Sequence, residues 1–139
     1  MIPKKVLVES PGRINLIGEH IDYNGGKVLP AAIKNKIIFH LESIQGVKCY
    51  IESKTIEKTF IIQLNSLEKS EIQWENYIIG VLKNLIEKRK LLINGFKCLI
   101  DGDLPIGAGI SSSSSLICGF IKGLDQLNNL NLTNNDIFC

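Results

Sequence analysis

The hydrophobic pattern of the chain changes period part-way along, and this change limits the folds that the chain can adopt. Up to residue 64, apolar residues occur in short runs rich in Ile, Phe, Val and Tyr between polar residues, which is typical of strands. From Glu75 to Arg89 they recur every three or four residues instead, which predicts an amphipathic helix. Four strands are expected before this helix, at Lys5–Val8, Lys36–Leu41, Lys48–Glu52 and Thr59–Leu64.

The remainder of the chain alternates once more between strand and helix patterns. Phe96–Ile100 is predicted to be a strand, and Gly102–Gly109 a loop rich in Gly and Pro. A second helix is expected at Leu116–Leu127 after a run of serines, and a third near Thr133, because threonine is a favoured N-cap. With no internal repeat and no linker, the pattern predicts one α/β domain.

Composition excludes several classes of function. The chain has 139 residues with 45% hydrophobic content, enough for one domain with a core. Its 16 basic and 14 acidic residues are interspersed and form no basic stripe, so we expect no nucleic-acid partner. No apolar run approaches the roughly 18 residues that cross a bilayer, and the N-terminal apolar segment is too short for a signal peptide. We therefore expect no membrane partner and a cytoplasmic location.

Several chemically conspicuous residues are expected to be structural. The four cysteines are widely spaced and form no CxxC pair, which predicts reduced thiols, most simply buried ones. His40 has no acidic neighbours of the kind that flank His20, and we interpret it as structural. The cysteines are Cys49, Cys98, Cys118 and Cys139.

A short polar stretch from Gly12 to Gly26 has the residue types of a sugar site. A hexose offers hydroxyls that each donate and accept hydrogen bonds, so a site that reads them needs acceptors beside donors on a constrained backbone. The stretch supplies both, and the glycines around them constrain the chain. The acceptors are Glu19 and Asp22, and the donors are Arg13 and His20.

The stretch Leu104–Leu116 has the residue types of a phosphate-binding loop. It joins a predicted strand to a predicted helix through two glycines and five serines. Glycines let main-chain N–H groups approach an anion, a helix N-terminus adds its dipole, and hydroxyls donate to phosphate or ligate magnesium. The stretch contains no Gly-Lys-Ser or Gly-Lys-Thr, so it is not a Walker loop. Taken alone, it is equally compatible with a flexible connector.

The polar stretch resembles the galactokinase signature of the GHMP small-molecule kinase superfamily almost residue for residue. The resemblance implies a galactose-binding signature over residues 10–35, with Arg13 where the charge of the transferring phosphoryl group develops. The permanent, delocalised charge of arginine suits that task. The residues that the resemblance assigns to the sugar are Glu19, His20, Ile21 and Asp22.

Two further stretches resemble the same family. Residues 104–116 resemble the second GHMP motif, Pro-x-Gly-x-Gly-Leu-Ser-Ser-Ser-Ala, with Ile110 and Ser114 as mild departures. This implies that the loop wraps the phosphates of ATP and that Ser113 also supplies an oxygen to Mg²⁺. Trp74, in a Trp-x-Asn-Tyr pattern, is implied to lie against the nucleotide base; a core aromatic is the alternative. The implied phosphate-binding residues are Gly107, Ala108, Gly109, Ile110, Ser111, Ser112 and Ser113.

The resemblance implies both a fold and an activity. The expected fold is the N-terminal GHMP kinase domain over residues 1–139, an incomplete α+β two-layer domain with a mixed sheet packed against helices. The expected activity is transfer of the γ-phosphoryl group of ATP to the C1 hydroxyl of galactose. The family's catalytic aspartate, the glutamate that completes its magnesium shell and its C-terminal domain are expected beyond residue 139. The chain is therefore interpreted as an inactive fragment of an enzyme that is monomeric at full length.

Three alternatives stay open. An N-acetylgalactosamine kinase shares all three motifs, and Ile21 stands where galactokinases usually have Thr. A galactokinase-like sensor would bind galactose and ATP without catalysis. A truncated product without function is the third. Mevalonate and homoserine kinases share the serine-rich loop but lack the sugar patch, and they rank lower.

Overall fold

A computed structural model describes residues 2–17, 29–104 and 112–138, which form one sheet with helices against one of its faces. The strands are β1 (Lys5–Ile17), β2 (Leu29–Ser43), β3 (Lys48–Ser53), β4 (Lys58–Gln63) and β5 (Phe96–Gly102). The helices are α1 (Gln73–Lys83), which continues into a π-helical turn at Asn84–Lys88, α2 (Ser112–Asn128) and α3 (Asn134–Phe138). None of the helices in these ranges is long and apolar enough to cross a membrane.

The five strands lie in the order β1-β2-β5-β3-β4. β3 and β5 are parallel, and the other neighbouring pairs are antiparallel. The parallel pair requires a crossover, which β4 and α1 supply between β3 and β5. The mixed sheet and its helical layer confirm the predicted α+β class.

The core lies between the sheet and the helices. Residues on β3 alternate strictly between exposed and buried, as expected for a sheet with one covered face. Phe120 of α2 is fully buried, with its ring centroid 6.5 Å from that of Phe39 and 5.8 Å from that of Phe96. Two strands, β2 and β5, and the helix α2 thus share one aromatic contact. This contact seats α2 on the centre of the sheet.

Strands β1 and β2 are longer than the sequence pattern predicts. We expected strands at Lys5–Val8 and Lys36–Leu41, whereas pairing continues until Ile17 lies opposite Leu29. The pattern missed this extension because Pro and Gly normally punctuate strands. Pro11 is tolerated because β1 is an edge strand, and the register shifts between Pro11 and Arg13. Arg13 therefore lies on a strand.

The helix predictions are confirmed, with one shifted start. α1 and its π-helical turn cover Glu75–Arg89 to within two residues. α2 begins at Ser112 and not at Leu116, so the serines form its first turn. Thr133 is the N-cap of α3, because its Oγ1 accepts the Asp136 N–H at 3.2 Å.

Gly119 allows α2 to lie close to β1. A Cβ atom added there would come within 2.8 Å of the Ser10 Cβ and would also overlap the ring of Phe39. We predict that Gly119→Ala lowers the free energy of unfolding by about 1–3 kcal/mol, because an extra methyl group overpacks this contact. Denaturant unfolding of the purified chain measures the change.

Gly80→Ala is the matched control. Gly80 is also helical, and a Cβ added there meets nothing within 4 Å. It should stabilise the chain by up to about 1 kcal/mol through helix propensity. Equal effects of the two substitutions would contradict the close approach at Gly119.

Candidate functional site

The end of β1 and the first turns of α2 meet at two hydrogen bonds. The Ser10 hydroxyl donates to the carbonyl of Ser115 at 2.7 Å, and the Ser115 hydroxyl donates to the carbonyl of Pro11, also at 2.7 Å. Both serines are buried. The two predicted motifs, far apart in sequence, are therefore adjacent in the fold: Arg13 follows Ser10 on the strand, and Ser113 precedes Ser115 on the helix.

A cleft opens beside this junction. It consists of two cavities of about 360 and 630 Å³ that share four lining residues. The smaller cavity lies between β1 and α2, and the larger one lies between α1 and α2. The shared residues are Arg13, Ser114, Cys118 and Ile137. The cleft thus joins the predicted sugar-side strand to the start of the predicted phosphate-side helix.

Arg13, Lys122 and the start of α2 contribute positive charge to the cleft. Arg13 is exposed, and its charge acts on the neighbouring thiol of Cys118. Burial raises the pKa of the Cys118 thiol, while the Arg13 charge opposes part of that increase. A 17-residue helix adds a partial positive charge at its N-terminus. These features favour an anionic group in the cleft.

The strand-side end of the predicted phosphate loop is anchored. The Asp103 carboxylate accepts the Lys36 N–H at 3.0 Å, and the N–H of Leu104 donates to the Lys36 carbonyl at 3.2 Å. Leu104 is buried at 2% exposure. These contacts fix where the chain leaves β5. Sequence reasoning missed Asp103, since a single aspartate after a strand has no distinctive pattern.

Many predicted site residues lie outside the described ranges. For the sugar site these are Glu19, His20, Ile21 and Asp22, and for the phosphate loop they are Gly107, Ala108, Gly109, Ile110 and Ser111. Ser112 and Ser113 are described as the first helical residues of α2, and Ser113 is exposed. The roles assigned to all of these residues stay predictions.

Trp74 lies in the core at the start of α1. It is 8% exposed, and its ring meets that of Phe60 edge-on, with centroids 5.0 Å apart and planes at 85°. This is the packing of the core-aromatic alternative, and Trp74 is not among the described residues that line the cleft. Its contact with a nucleotide base stays a prediction, and only the small exposed part of the side chain could make that contact.

Asn76, in the same Trp-x-Asn-Tyr stretch, has a structural role that sequence reasoning missed. Its side-chain oxygen accepts the Ser70 N–H at 2.8 Å, and its side-chain nitrogen donates to the Ser70 carbonyl at 2.7 Å. This two-point contact fixes the chain that enters α1. An amide side chain is required because only it combines donor and acceptor in this arrangement.

Comparison with known proteins identifies the family. Residues 2–42 match the galactokinase galactose-binding signature, and residues 76–139 match the GHMP kinases N terminal domain. A galactokinase from Pyrococcus furiosus is 48% identical over 92% of this chain. The chain belongs to the galactokinase family.

Solved structures agree with this assignment. A Lactococcus lactis galactokinase complexed with galactose matches with a TM-score of 0.87 and 36% identity over 96% of this chain. The mevalonate kinase of Methanococcus jannaschii matches with a TM-score of 0.80 at 24% identity, which shows the shared fold. The chain spans 35% of the Pyrococcus furiosus protein and 35% of the Lactococcus lactis chain.

Helix α3 closes one side of the larger cavity through an ion pair. The Arg89 Nη1 lies 2.8 Å from the Asp136 Oδ1, and Thr133 donates to the other carboxylate oxygen from both its N–H and its hydroxyl. The Thr133 N–H, the Arg89 guanidinium and the Thr133 hydroxyl lower the pKa of Asp136 to about 2. The ionised carboxylate is therefore the form that holds α3.

This lowered pKa predicts how acid affects α3. A depressed pKa stabilises the folded state above the ordinary value of 3.8, and that contribution is lost as the pH falls through about 2. We expect amide exchange in α3 to accelerate over this range in the wild type. In Asp136→Asn, α3 should be loosened already at neutral pH and should lack that acid-dependent step. An identical acid response in both proteins would contradict the prediction.

The thiols differ in burial, and this predicts their reactivity. Burial raises the pKa of Cys49 to about 12 and that of Cys98 well above its usual range, whereas Cys118 is half-buried at the cleft. Because the thiolate is the reactive form, native-state alkylation should modify Cys118 before Cys49 and Cys98. Peptide mass spectrometry reads the order, with unfolded chain as the control in which all three react. Native labelling of Cys98 as fast as Cys118 would contradict the packing.

Proposed function

We propose that the full-length protein carrying this chain is a galactokinase. It transfers the γ-phosphoryl group of ATP to the C1 hydroxyl of galactose and so produces galactose 1-phosphate. The observation that carries the proposal is the cleft where Arg13, on the signature strand, lies beside the serine-rich start of α2. The relatives named galactokinase and the neighbour solved with galactose support the same activity.

The sugar is bound by the residues that follow β1. Glu19 and Asp22 accept hydrogen bonds from hydroxyls, His20 donates or accepts, and the backbone at Ile21 completes the patch. Such a set discriminates strongly, because an analogue without the matching hydroxyl leaves polar groups unpaired. The pairing of Ile17 with Leu29 supports this assignment, since it brings together the two ends of the segment that contains these residues.

The nucleotide phosphates are bound by residues 107–113. Main-chain N–H groups from Gly107 onward and the N-terminus of α2 face the negative charge. Ser113 is exposed at this helix start, so its hydroxyl is free to reach a ligand. We retain Trp74 as the residue beside the nucleotide base, although its burial leaves little of the indole face available.

The donor set suits a magnesium ion that arrives with ATP. Among the residues that the structure describes, no group of three His, Cys, Asp or Glu side chains could hold a metal. Mg²⁺ keeps several waters and is usually bound by substrate phosphates together with one or two carboxylates, so the Ser113 hydroxyl would be one ligand and the family's glutamate would complete the shell. When bound, the ion neutralises the developing charge on the phosphates.

Arg13 stabilises the transferring group. Its guanidinium is permanently charged and reaches the cleft, where negative charge spreads over the phosphoryl oxygens during transfer. The two described carboxylates that line the cleft are already paired: Glu9 with Lys36 at 3.0 Å and Asp136 with Arg89 at 2.8 Å.

The sugar, the location and the oligomeric state belong to the same proposal. We assign galactose as substrate and N-acetylgalactosamine as the alternative, with the enzyme acting in the cytoplasm as a monomer. The experiment expresses the reading frame that carries this chain at full length and measures ATP-dependent phosphorylation of both sugars side by side. Turnover of galactose with the higher kcat/KM supports the proposal. Preference for N-acetylgalactosamine, or binding of galactose and ATP without turnover, would contradict it.

Removal of Arg13 tests the mechanism. In the full-length enzyme we expect Arg13→Ala to lower kcat by about 1,000-fold, which is typical for loss of an arginine that stabilises phosphoryl transfer. Lys58→Ala is the control, because Lys58 is exposed on β4 at the opposite edge of the sheet. A rate for Arg13→Ala within a few-fold of the control would contradict the role.

A further inference from the structure

We propose that Ser10 and Ser115 are positioning residues for phosphoryl transfer. They form a serine pair that holds the strand carrying Arg13 at a set distance from the helix carrying Ser113. The inference rests on the proposed function and assigns these two residues a role in the same site. Neither serine touches substrate in this interpretation, and each acts through the backbone of a neighbouring motif.

The geometry of the serine pair joins backbone to backbone. The Ser10 hydroxyl donates to the Ser115 carbonyl, and the Ser115 hydroxyl donates to the Pro11 carbonyl, both at 2.7 Å. Each hydroxyl thus reaches the main chain of the opposite element, and the two bonds cross the same interface. One bond alone would permit rotation about it, whereas two bonds fix both the separation and the register of β1 and α2.

The burial of the pair argues for a geometric role. Ser10 is 8% exposed and Ser115 is 6% exposed, and apart from Ser53 they are the only buried polar side chains in the part of the chain that the structure describes. A buried hydroxyl must be hydrogen-bonded, and its net contribution to stability is modest compared with an apolar group of similar size. We therefore infer that the two bonded hydroxyls fix the position of β1 relative to α2 more than they stabilise the fold.

The surrounding structure makes room for the pair. Gly119 lies one helical turn after Ser115, and a Cβ there would come within 2.8 Å of the Ser10 Cβ. The β1 register also shifts directly after Pro11, which is the residue whose carbonyl accepts the second bond. The two bonds thus lie beside a glycine on α2 and an irregularity on β1. Both features allow the two elements to approach closely.

The pair lies close enough in sequence to both motifs to transmit a displacement. Arg13 is three residues after Ser10, and Ser113 is two residues before Ser115. The segment from Ser113 to Ser115 is helical, and the segment from Ser10 to Arg13 belongs to one strand with a register shift after Pro11. Both are short, so a displacement at the serine pair reaches the two motif residues. A misplacement of reacting groups by about 1 Å can cost about 100-fold in rate. Loosening the pair should therefore affect transfer more than binding.

The test uses the full-length enzyme with three single variants. We expect Ser10→Ala and Ser115→Ala each to lower kcat about tenfold, within the range that small misplacements produce. KM for galactose and for ATP should change by no more than about twofold, because the sugar and phosphate contacts remain. Ser53→Ala is the matched control: its hydroxyl is equally buried and accepts the Ile56 N–H, but it lies on β3, away from the cleft. It should leave kcat unchanged.

A double-mutant cycle separates positioning from a structural effect. In the Arg13→Ala background, Ser115→Ala should have almost no further effect on kcat, since the group that it positions is gone. Ser115→Thr, which keeps the hydroxyl, should restore most of the rate. If Ser115→Ala does not fold, Ser10→Ala gives the same cycle through loss of the other bond.

The outcomes distinguish this inference from the proposed function. A wild type that phosphorylates neither galactose nor N-acetylgalactosamine overturns the proposed function, and the inference with it. With an active wild type, the inference alone is overturned if both serine variants behave like Ser53→Ala, or if Ser115→Ala lowers kcat by the same factor with and without Arg13.

Discussion

Helix α2 lies on the sheet through Phe120, which packs against Phe39 of β2 and Phe96 of β5. The positions of Arg13 and of the α2 serines depend on this contact, because α2 carries the serines and meets β1, the strand of Arg13, across the same interface. Gly119 allows the approach, and the serine pair of Ser10 and Ser115 sets its register. The apolar contact thus holds α2 against the sheet, and the hydrogen bonds of the serine pair fix its position relative to β1.

The apolar contact and the hydrogen bonds of the serine pair have different roles, and phosphoryl transfer needs both. Apolar burial is strong but non-directional, so it supplies stability without fixing position closely. Hydrogen bonds contribute less net stability but depend on distance and angle. The cleft beside the junction is lined by the positively charged Arg13 and Lys122 and by the start of α2, while its two described carboxylates are paired with Lys36 and Arg89. The described part of the site therefore favours an anion.

Local pattern predicted most of the fold. β3, β4, β5 and α1 lie where the hydrophobic period placed them, because each buries one regular face. The extension of β1 to Ile17 was missed, since Pro11 and Gly12 interrupt the pattern and only pairing with β2 makes that segment a strand. The start of α2 was placed too late for a similar reason: a run of serines has weak helix preference of its own.

The sequence predicted which residue types form the site, but not the long-range contacts that hold them in place. The motifs named Arg13 and Ser113, and the resemblance gave them roles that stay proposals. The bond between Ser10 and Ser115 joins residues 105 positions apart, so no local pattern contains it. The same holds for Asp103 with Lys36, and for the burial of Trp74 against Phe60. Such contacts depend on tertiary packing, and the spacing of residues in one sequence does not predict them.

In the proposed enzyme, the sugar and the nucleotide phosphates meet at the junction of β1 and α2. A crystal structure of the full-length protein with galactose and a non-hydrolysable ATP analogue tests it most directly. We predict that the terminal phosphate lies between the Arg13 guanidinium and the start of α2, with galactose on the same side. Either ligand bound away from this junction, with Arg13 touching neither, would contradict the account.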